Sequence, residues 1–230
     1  MDITGITVCY NSKDLIQKAY ESVRKFHPDI RIIIIDGSDE RDECREYVKS
    51  LISPLTTVYL AKNNIGHGRG MDLALKMTAT KYALVFDSDI VMLKSPVAQM
   101  LAMMESDTYG VGYLEKTAFD GFEYGSKPHH FQQGFMYMLH PYFMLLQVKE
   151  YFRYHRFVHH GAPCFKAALD IHRRGLTKKI IKEFPGLGHS SGVGWTWKGE
   201  PREYIEHHTQ GTRKIRRERG LREIEEGWER

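Results

Sequence analysis

Ile30 to Ile35, a run of isoleucines broken only by Arg31 and closed by Asp36-Gly37-Ser38, constrains the fold more than any other stretch. A nearly all β-branched segment has no polar side to turn to water. It fits a strand inside a parallel sheet, with helices covering both faces. The flanking sequence supplies the rest of such a sheet. Ile3 to Cys9 is rich in β-formers; Asn11 and Ser12 then offer caps for a helix over about 13–25, with Leu15, Ile16, Ala19 and Val23 at helical spacing. A helix over Glu40 to Leu51, a strand over Thr57 to Leu60, a glycine-rich turn and a helix over Gly70 to Met77 follow. Tyr82 to Phe86 is a further apolar strand that runs into Asp87-Ser88-Asp89. Strands alternating with helices predict an α/β, Rossmann-like fold, a central mostly parallel sheet flanked by helices with right-handed crossovers.

Past Tyr113 the rhythm changes. Phe119 to His130 reads as loop, Gly134 to Leu139 as a strand, Tyr142 to Tyr151 as a helix, and Cys164 to Arg174 as a second helix closed by Gly175. No repeat or low-complexity linker interrupts the 230 residues, which predicts one domain with an elaborated C-terminal half. Cys9, Cys44 and Cys164 are odd in number and lack metal-ligand spacing, which points to a reducing, cytoplasmic setting. The opening MDITGITVCYNS has no basic segment followed by a long apolar one, so no secretory leader is expected. Residues 213–219 are strongly basic and 223–226 acidic. Such a run reads first as a solvated helix face. A functional role for it would be peripheral attachment to anionic lipid, at the inner face of the membrane, rather than nucleic-acid binding.

Phe86-Asp87-Ser88-Asp89-Ile90 carries the clearest chemistry. Two acids one residue apart, directly after a buried strand, stand at the carboxyl edge of the sheet, where open α/β folds bind ligands. Hard oxygen donors suit Mg²⁺ or Mn²⁺, which take one or two protein carboxylates together with phosphate oxygens. The bland alternative is that the two acids cap the next turn.

The order of parts resembles the family 2 glycosyltransferases, which carry the GT-A fold, over residues 3 to about 97. Val8-Cys9-Tyr10-Asn11-Ser12 is similar to that family's opening strand and Tyr-Asn pair. Ile34-Ile35-Asp36-Gly37-Ser38 is similar to its Asp-Asp-Gly-Ser, with Ile35 in place of one acid. Asn63-Asn64-Ile65-Gly66-His67-Gly68-Arg69-Gly70 resembles its Asn-x-Gly segment, and Asp87-Ser88-Asp89 arrives at the expected distance. The resemblance implies a nucleotide-sugar-binding half (1–115), an acceptor-side half (116–212) and a basic/acidic C-terminal helix (213–230). It implies that Cys9, Tyr10, Asn11, Asp36, Asn64, Gly66, Arg69, Asp87 and Ser88 meet the donor, Asp36 reading the base and Arg69 pairing with phosphate. Asp87 and Asp89 would hold Mn²⁺ or Mg²⁺, with His207 or His189 completing the shell. The glycine segment also raises a dinucleotide site, but its spacing is Gly-x-Gly-x-Gly and it follows the third strand rather than the first.

The family's catalytic carboxylate stands shortly before a helix like the one at Cys164 to Arg174. Here that place reads His159-His160-Gly161-Ala162-Pro163, with no acid. His160 is the candidate base, since an imidazole titrates near neutrality; a retaining mechanism needs none. Phe119, Phe122, Tyr124, Phe131, Trp195 and Trp197 suit sugar stacking but equally suit a small core. The resemblance implies transfer of a sugar from a UDP- or GDP-sugar to a hydroxyl of a glycan or lipid-linked saccharide. A nucleotide-sugar-binding protein without turnover and a nucleotidyltransferase on a related fold are the alternatives; the latter is disfavoured by the absence of glycine after the first strand.

Overall fold

The computed structural model describes residues 1–158, 162–188 and 203–208. The chain opens with β1 (Ile3–Cys9), α1 (Lys13–Phe26), β2 (Arg31–Asp36), α2 (Glu43–Ser50), β3 (Thr56–Leu60), α3 (His67–Met77) and β4 (Tyr82–Phe86). It continues through β5 (Ile90–Met92), α4 (Val97–Ala102), β6 (Gly110–Ala118), α5 (His130–Gln133), β7 (Phe135–Gln147) and α6 (Val148–Tyr151). Then come α7 (Phe165–Arg173), α8 (Thr177–Ile180), β8 (Ile181–Glu183) and β9 (Ile205–His207). Among the described residues seven strands form one sheet in the order β3-β2-β1-β4-β7-β6-β8, and β5 pairs with β9 apart from it. The first four run parallel, while β7 runs antiparallel to both β4 and β6.

The isoleucine strand is buried on both faces, as its composition requires. Ile32 and Ile34 pack with Ile16 and Val23 of α1 and Val48 of α2; Ile33 and Ile35 pack with Met71, Ala74 and Leu75 of α3. Each buried isoleucine contributes about 1.5–3 kcal/mol of transfer free energy, so this one strand fixes the three-layer arrangement. On the second face α3 approaches β1 closely. A Cβ on Gly70 would lie 2.8 and 2.9 Å from the two Val8 methyl carbons.

Two expectations need correction. Tyr142 to Gln147 is strand, and only Val148–Tyr151 is helical. The run Tyr142 to Gln147 is buried at every position because it lies between β4 and β6, and a continuous apolar run has no periodicity by which to tell strand from helix. Helix α3 starts at His67 rather than Gly70, with Gly66 before it at φ 79°. β1, α1, β2, β3 and β4 lie where the sequence put them, and α2 is trimmed to start behind Asp42, whose carboxylate accepts from the Cys44 N–H at 2.8 Å; β5, α4 and β6 are additions the sequence did not announce. All three cysteines are buried and unbridged. Among the described residues no helix is long and apolar enough to cross a membrane. His159, His160, His189, Trp195, Trp197 and the stretch 213–230 lie outside the described residues.

Candidate metal and donor site

Asp87 follows the last residue of β4, and its N–H donates to the Tyr142 carbonyl at 2.9 Å. The next turn brings the chain into β5, which pairs with β9 so that Ile90 stands opposite His207. That pairing, together with the His208 N–H donating to the Asp89 carbonyl at 2.8 Å, sets His207 over the acidic turn. His207 Nε2 lies 3.2 Å from Asp89 Oδ1 and 3.7 Å from Asp87 Oδ2. One ligand atom from each of Asp87, Asp89 and His207 falls within 4.8 Å of the others, at the carboxyl edge of the sheet. The short strand expected to carry His207 inward is β9.

A β-bulge shapes the wall behind this cluster. The β6–β7 register shifts between Gly112, opposite Met144, and Leu114, opposite Leu139. Pro141 lies in the unpaired stretch, where its missing N–H costs no ladder bond. The bulge turns Tyr142 and His140 toward His207: the Tyr142 ring stacks on it at 4.9 Å and 13°, and the His140 ring lies 6.3 Å away.

From the other side, α3 presents His67. Its Nε2 lies 3.1 Å from Asp87 Oδ1. Burial works against a charged His67 imidazole, but Asp87's field and hydrogen bond, with Asp89's field, outweigh it and raise its pKa. Burial likewise works against the Asp87 carboxylate, but His67, His207 and His140 outweigh it and hold it down at about 2. Asp87 is therefore ionised at any physiological pH, as a cation ligand must be. Neither His67 nor His140 stands out in the sequence; the first sits among glycines that read as turn, the second beside a proline. The signal that finds them is spatial, the end of β4 and the start of α3 meeting at one edge.

Two other clusters can be set aside on chemistry. Cys9, Asp36 and Cys44 converge, but all three are buried and Arg45 Nη1 already lies 3.4 Å from Asp36 Oδ2. Asp120, His129 and His130 also converge. There the Gly125 N–H donates to His130 Nδ1 at 3.2 Å, so in the neutral ring Nε2 carries the proton and offers it to Asp120 Oδ2. The Lys127 ammonium holds the same oxygen at 2.9 Å. That cluster is a clasp for the 119–133 segment, and its lone pairs are spent. Among the described residues, only Asp87, Asp89 and His207 combine hard oxygens, an imidazole and an edge position, which fits a divalent cation carrying phosphate oxygens.

The residues expected on the donor side gather about the ends of β1 and β2 and the start of α3. Asn11, at φ 48°, takes the left-handed conformation that asparagine tolerates. Its N–H donates to Ser38 Oγ at 2.8 Å, its amide donates to Asp39 at 2.7 Å, and its Oδ1 accepts from the Asp39 N–H at 2.9 Å. The Tyr10 hydroxyl donates to Asp39 at 3.4 Å. Asp36 is fully buried: besides Arg45, its carboxylate accepts from the Ser38 N–H at 3.1 Å and the Cys9 thiol at 3.4 Å. Asp36 thus stands behind the turn, and the acid at its surface is Asp39, which the sequence did not single out. Asn64 Oδ1 accepts from the Gly66 N–H at 2.9 Å and shapes the entry to α3, on whose first turn Arg69 is exposed. Ser88 is buried between the two acids.

The family model of glycosyl transferase family 2 matches residues 5–172. No curated protein sequence matches the chain. Among solved structures, the mannosyltransferase PcManGT from Pyrobaculum calidifontis in complex with GDP-Man and Mn²⁺ superposes with a TM-score of 0.57 at 11% identity, over 80% of this chain and 55% of that one. GalNAc-T7 with UDP, GalNAc and Mn²⁺ superposes with a TM-score of 0.55 at 12% identity, over 74% of this chain and 40% of that one. The chain thus spans between two fifths and somewhat over half of those proteins' lengths, and at such identities the likeness establishes the fold, which is GT-A.

Proposed function

The chain belongs to glycosyl transferase family 2, and from that premise we propose that it transfers a sugar from a nucleoside-diphosphate donor to an acceptor hydroxyl with a divalent cation at Asp87, Asp89 and His207. The observation that carries this reading is the convergence of those three side chains at the carboxyl edge of the sheet. A bound cation there would stabilise the charge that gathers on the diphosphate as the glycosyl bond breaks. His67 would hold the Asp87 carboxylate in its ligating orientation, as partners behind metal ligands do. Two carboxylates with an imidazole lean toward Mn²⁺ over Mg²⁺, since a nitrogen donor suits the softer ion better. The Mn²⁺ and the GDP- or UDP-derived ligands named for the two structural neighbours support the same choice.

In this reading the nucleoside rests on the turn of Tyr10, Asn11 and Ser38, with Cys9 and Asp36 bracing it from below. Asn64, Gly66 and Arg69 line the diphosphate path, and Ser88 orients the acidic turn. The acceptor is a carbohydrate or lipid-linked saccharide approaching from the β6–β7 side. His160 and His189 remain candidates for the acceptor and metal sides from the sequence alone.

Calorimetric titration of nucleoside diphosphates with Mn²⁺ and with EDTA, on wild type and Asp89→Ala, tests the proposal. One nucleotide binding only with metal, and lost in the variant, is the expected result. Binding indifferent to metal and to Asp89 would refute it.

A further inference from the structure

Transfer to a hydroxyl releases a proton that some group must take. Ala162, Pro163 and Cys164, which lead into α7, carry no acid. The structure brings a carboxylate to this region from a different element. Beyond the bulge, Leu114 to Ala118 of β6 pair with Leu139 to Phe135 of β7, whereas β4 stops at Phe86, opposite Phe143. The β6–β7 ribbon therefore overhangs the edge where Asp87 and Asp89 lie.

Residues opposite one another in an antiparallel ladder share a face. Glu115 stands opposite Met138, and Thr117 stands opposite both Met136 and Glu123. Met136 and Met138 pack in the layer that holds Met71 of α3, Ala167 and Ala168 of α7, and Cys164 just before α7. Leu139, opposite Leu114, belongs to the same layer, so this end of the ribbon, Glu115 included, borders the layer that α3 and the start of α7 build. The Cys164 thiol ties the two ends together: burial raises its pKa, and the fields of both Asp87 and Glu115 raise it further. Cys164 is thus within electrostatic reach of the metal-site acid and of the ribbon acid. From Tyr142, which accepts the Asp87 N–H, to Met138 is four residues, at most about 13 Å at ~3.3 Å per residue since the bulge lies between them. That spacing leaves room for a donor sugar between cation and base.

Glu115 is half-buried and has no hydrogen-bond or ion-pair partner among the described residues. Its neighbour Lys116 turns away over the Phe135 ring, 4.9 Å from the centroid. An unneutralised carboxyl in such a place does nothing to hold the fold together, and perturbed acids of this kind cluster at functional sites. We propose that Glu115 is the general base for the transfer, accepting the proton of the acceptor hydroxyl; the assignment rests on the transferase reading above. As the acceptor oxygen bonds to the anomeric carbon, the bond from that carbon to the diphosphate breaks and its electron pair leaves with the diphosphate. The hydroxyl proton passes to the Glu115 carboxylate and then to solvent.

The environment sets the working range. Burial first, then the charge of Glu123, pushes Glu115 up to about 7. Two other titratable groups feel its charge, Cys164 just before α7 and Tyr113 of its own strand. Tyr113 is itself raised by burial and then by Glu115, Glu123 and Glu183. A base with this pKa is half ionised near neutrality, where proton transfer is most effective.

The test compares wild type, Glu115→Gln and Glu115→Asp for Mn²⁺-dependent nucleoside diphosphate binding and for release of that diphosphate from its nucleotide sugar. Glu115→Gln should bind within threefold of wild type while turnover falls by about 100-fold or more. Wild-type kcat/KM should rise with pH along a limb centred near about 7, a limb that Glu115→Gln abolishes and Glu115→Asp displaces. Carboxyl carbon NMR of the metal-free wild type, with Glu115 assigned by its loss in Glu115→Gln, should show the same midpoint without recourse to activity. Turnover within threefold of wild type in Glu115→Gln, or an NMR midpoint at the ordinary glutamate value of about 4.3, overturns the assignment while leaving metal-dependent binding intact. Loss of that binding from the wild type itself would instead refute the transferase reading.

Discussion

Gly70→Ala tests how α3 is docked and, through it, how His67 reaches Asp87. In an isolated helix the change would stabilise, because alanine is better than glycine by about 1 kcal/mol. Here the new Cβ meets both Val8 methyls, at 2.8 and 2.9 Å. Valine is stiff at χ1, and with two methyls in contact no simple rotation clears both. Overpacking of this kind costs about 1–3 kcal/mol. Taking ~2 kcal/mol for the clash and ~1 for propensity, the variant should be less stable by about 1 kcal/mol, or roughly 2–4 °C in Tm for a chain of this size. Because α3 must move outward to relieve the contact, His67 withdraws from Asp87, and Mn²⁺-dependent nucleotide binding should weaken as well. Val8→Ala alone removes two methyls and should cost about 1–3 kcal/mol. Combined, the two changes should be milder than their sum by about 1–2 kcal/mol, since the alanine at 70 fills space the valine vacates. Urea denaturation of the four proteins measures the cycle. A Gly70→Ala protein as stable as wild type, or a cycle that closes with no coupling, would show that α3 is not held at this distance by the glycine.

Two further predictions bear on the site and the segment beside it. His67→Ala should weaken Mn²⁺-dependent nucleotide binding by about 10- to 100-fold with little change in Tm, whereas His67→Gln, which keeps a donor toward Asp87, should recover part of it; calorimetry separates the three proteins. Burial opposes the Asp120 charge, but Lys127, His130, the Phe122 N–H and His129 outweigh it and hold its pKa well below the usual range. A depressed folded pKa contributes stability that is present above the unfolded value, near 3.9, and is lost as pH falls through the folded one. Asp120→Asn should therefore lower Tm at pH 7, and the gap to wild type should shrink steadily below about pH 4, as followed by thermal melts across pH.

The fold as far as β4 is largely legible in the sequence because most of its elements have a single signature. The isoleucine strand has no polar face, α1 shows apolar residues at helical spacing behind Asn11 and Ser12, and β4 ends abruptly in two acids. Misreadings occur where one residue type serves two purposes. Gly68 and Gly70 resemble a turn, yet Gly70 is needed inside a helix for its approach to Val8, and the turn itself is made by Gly66. Tyr142 to Gln147 resembles a helix because burial on both sides erases the alternation that marks a strand. Pro141 adds to the ambiguity, being tolerated in β7 only through the bulge opposite Tyr113.

The site divides along the same line. Asp87 and Asp89 are adjacent in sequence and directly readable, since a strand end fixes where both point. His67, His140 and His207 come from a helix start, a bulge and a two-stranded ribbon, and which imidazoles face the acids depends on how those elements pack. Sequence selects His207 because a short strand beside a glycine turn has a definite side. It passes over His67, since placing that ring requires the start of α3 to be known within one residue: at 100° per residue, a shift of one moves a side chain more than a quarter of the way round the helix. The same holds for the base. A carboxylate missing from the loop before α7 appears as an absence in the sequence, whereas its counterpart Glu115 lies nearly fifty residues earlier, on a strand whose register with β7 is set by a bulge. Chemistry carried by one turn can be read from neighbouring letters; chemistry assembled across a sheet edge depends on register, and register is decided by packing.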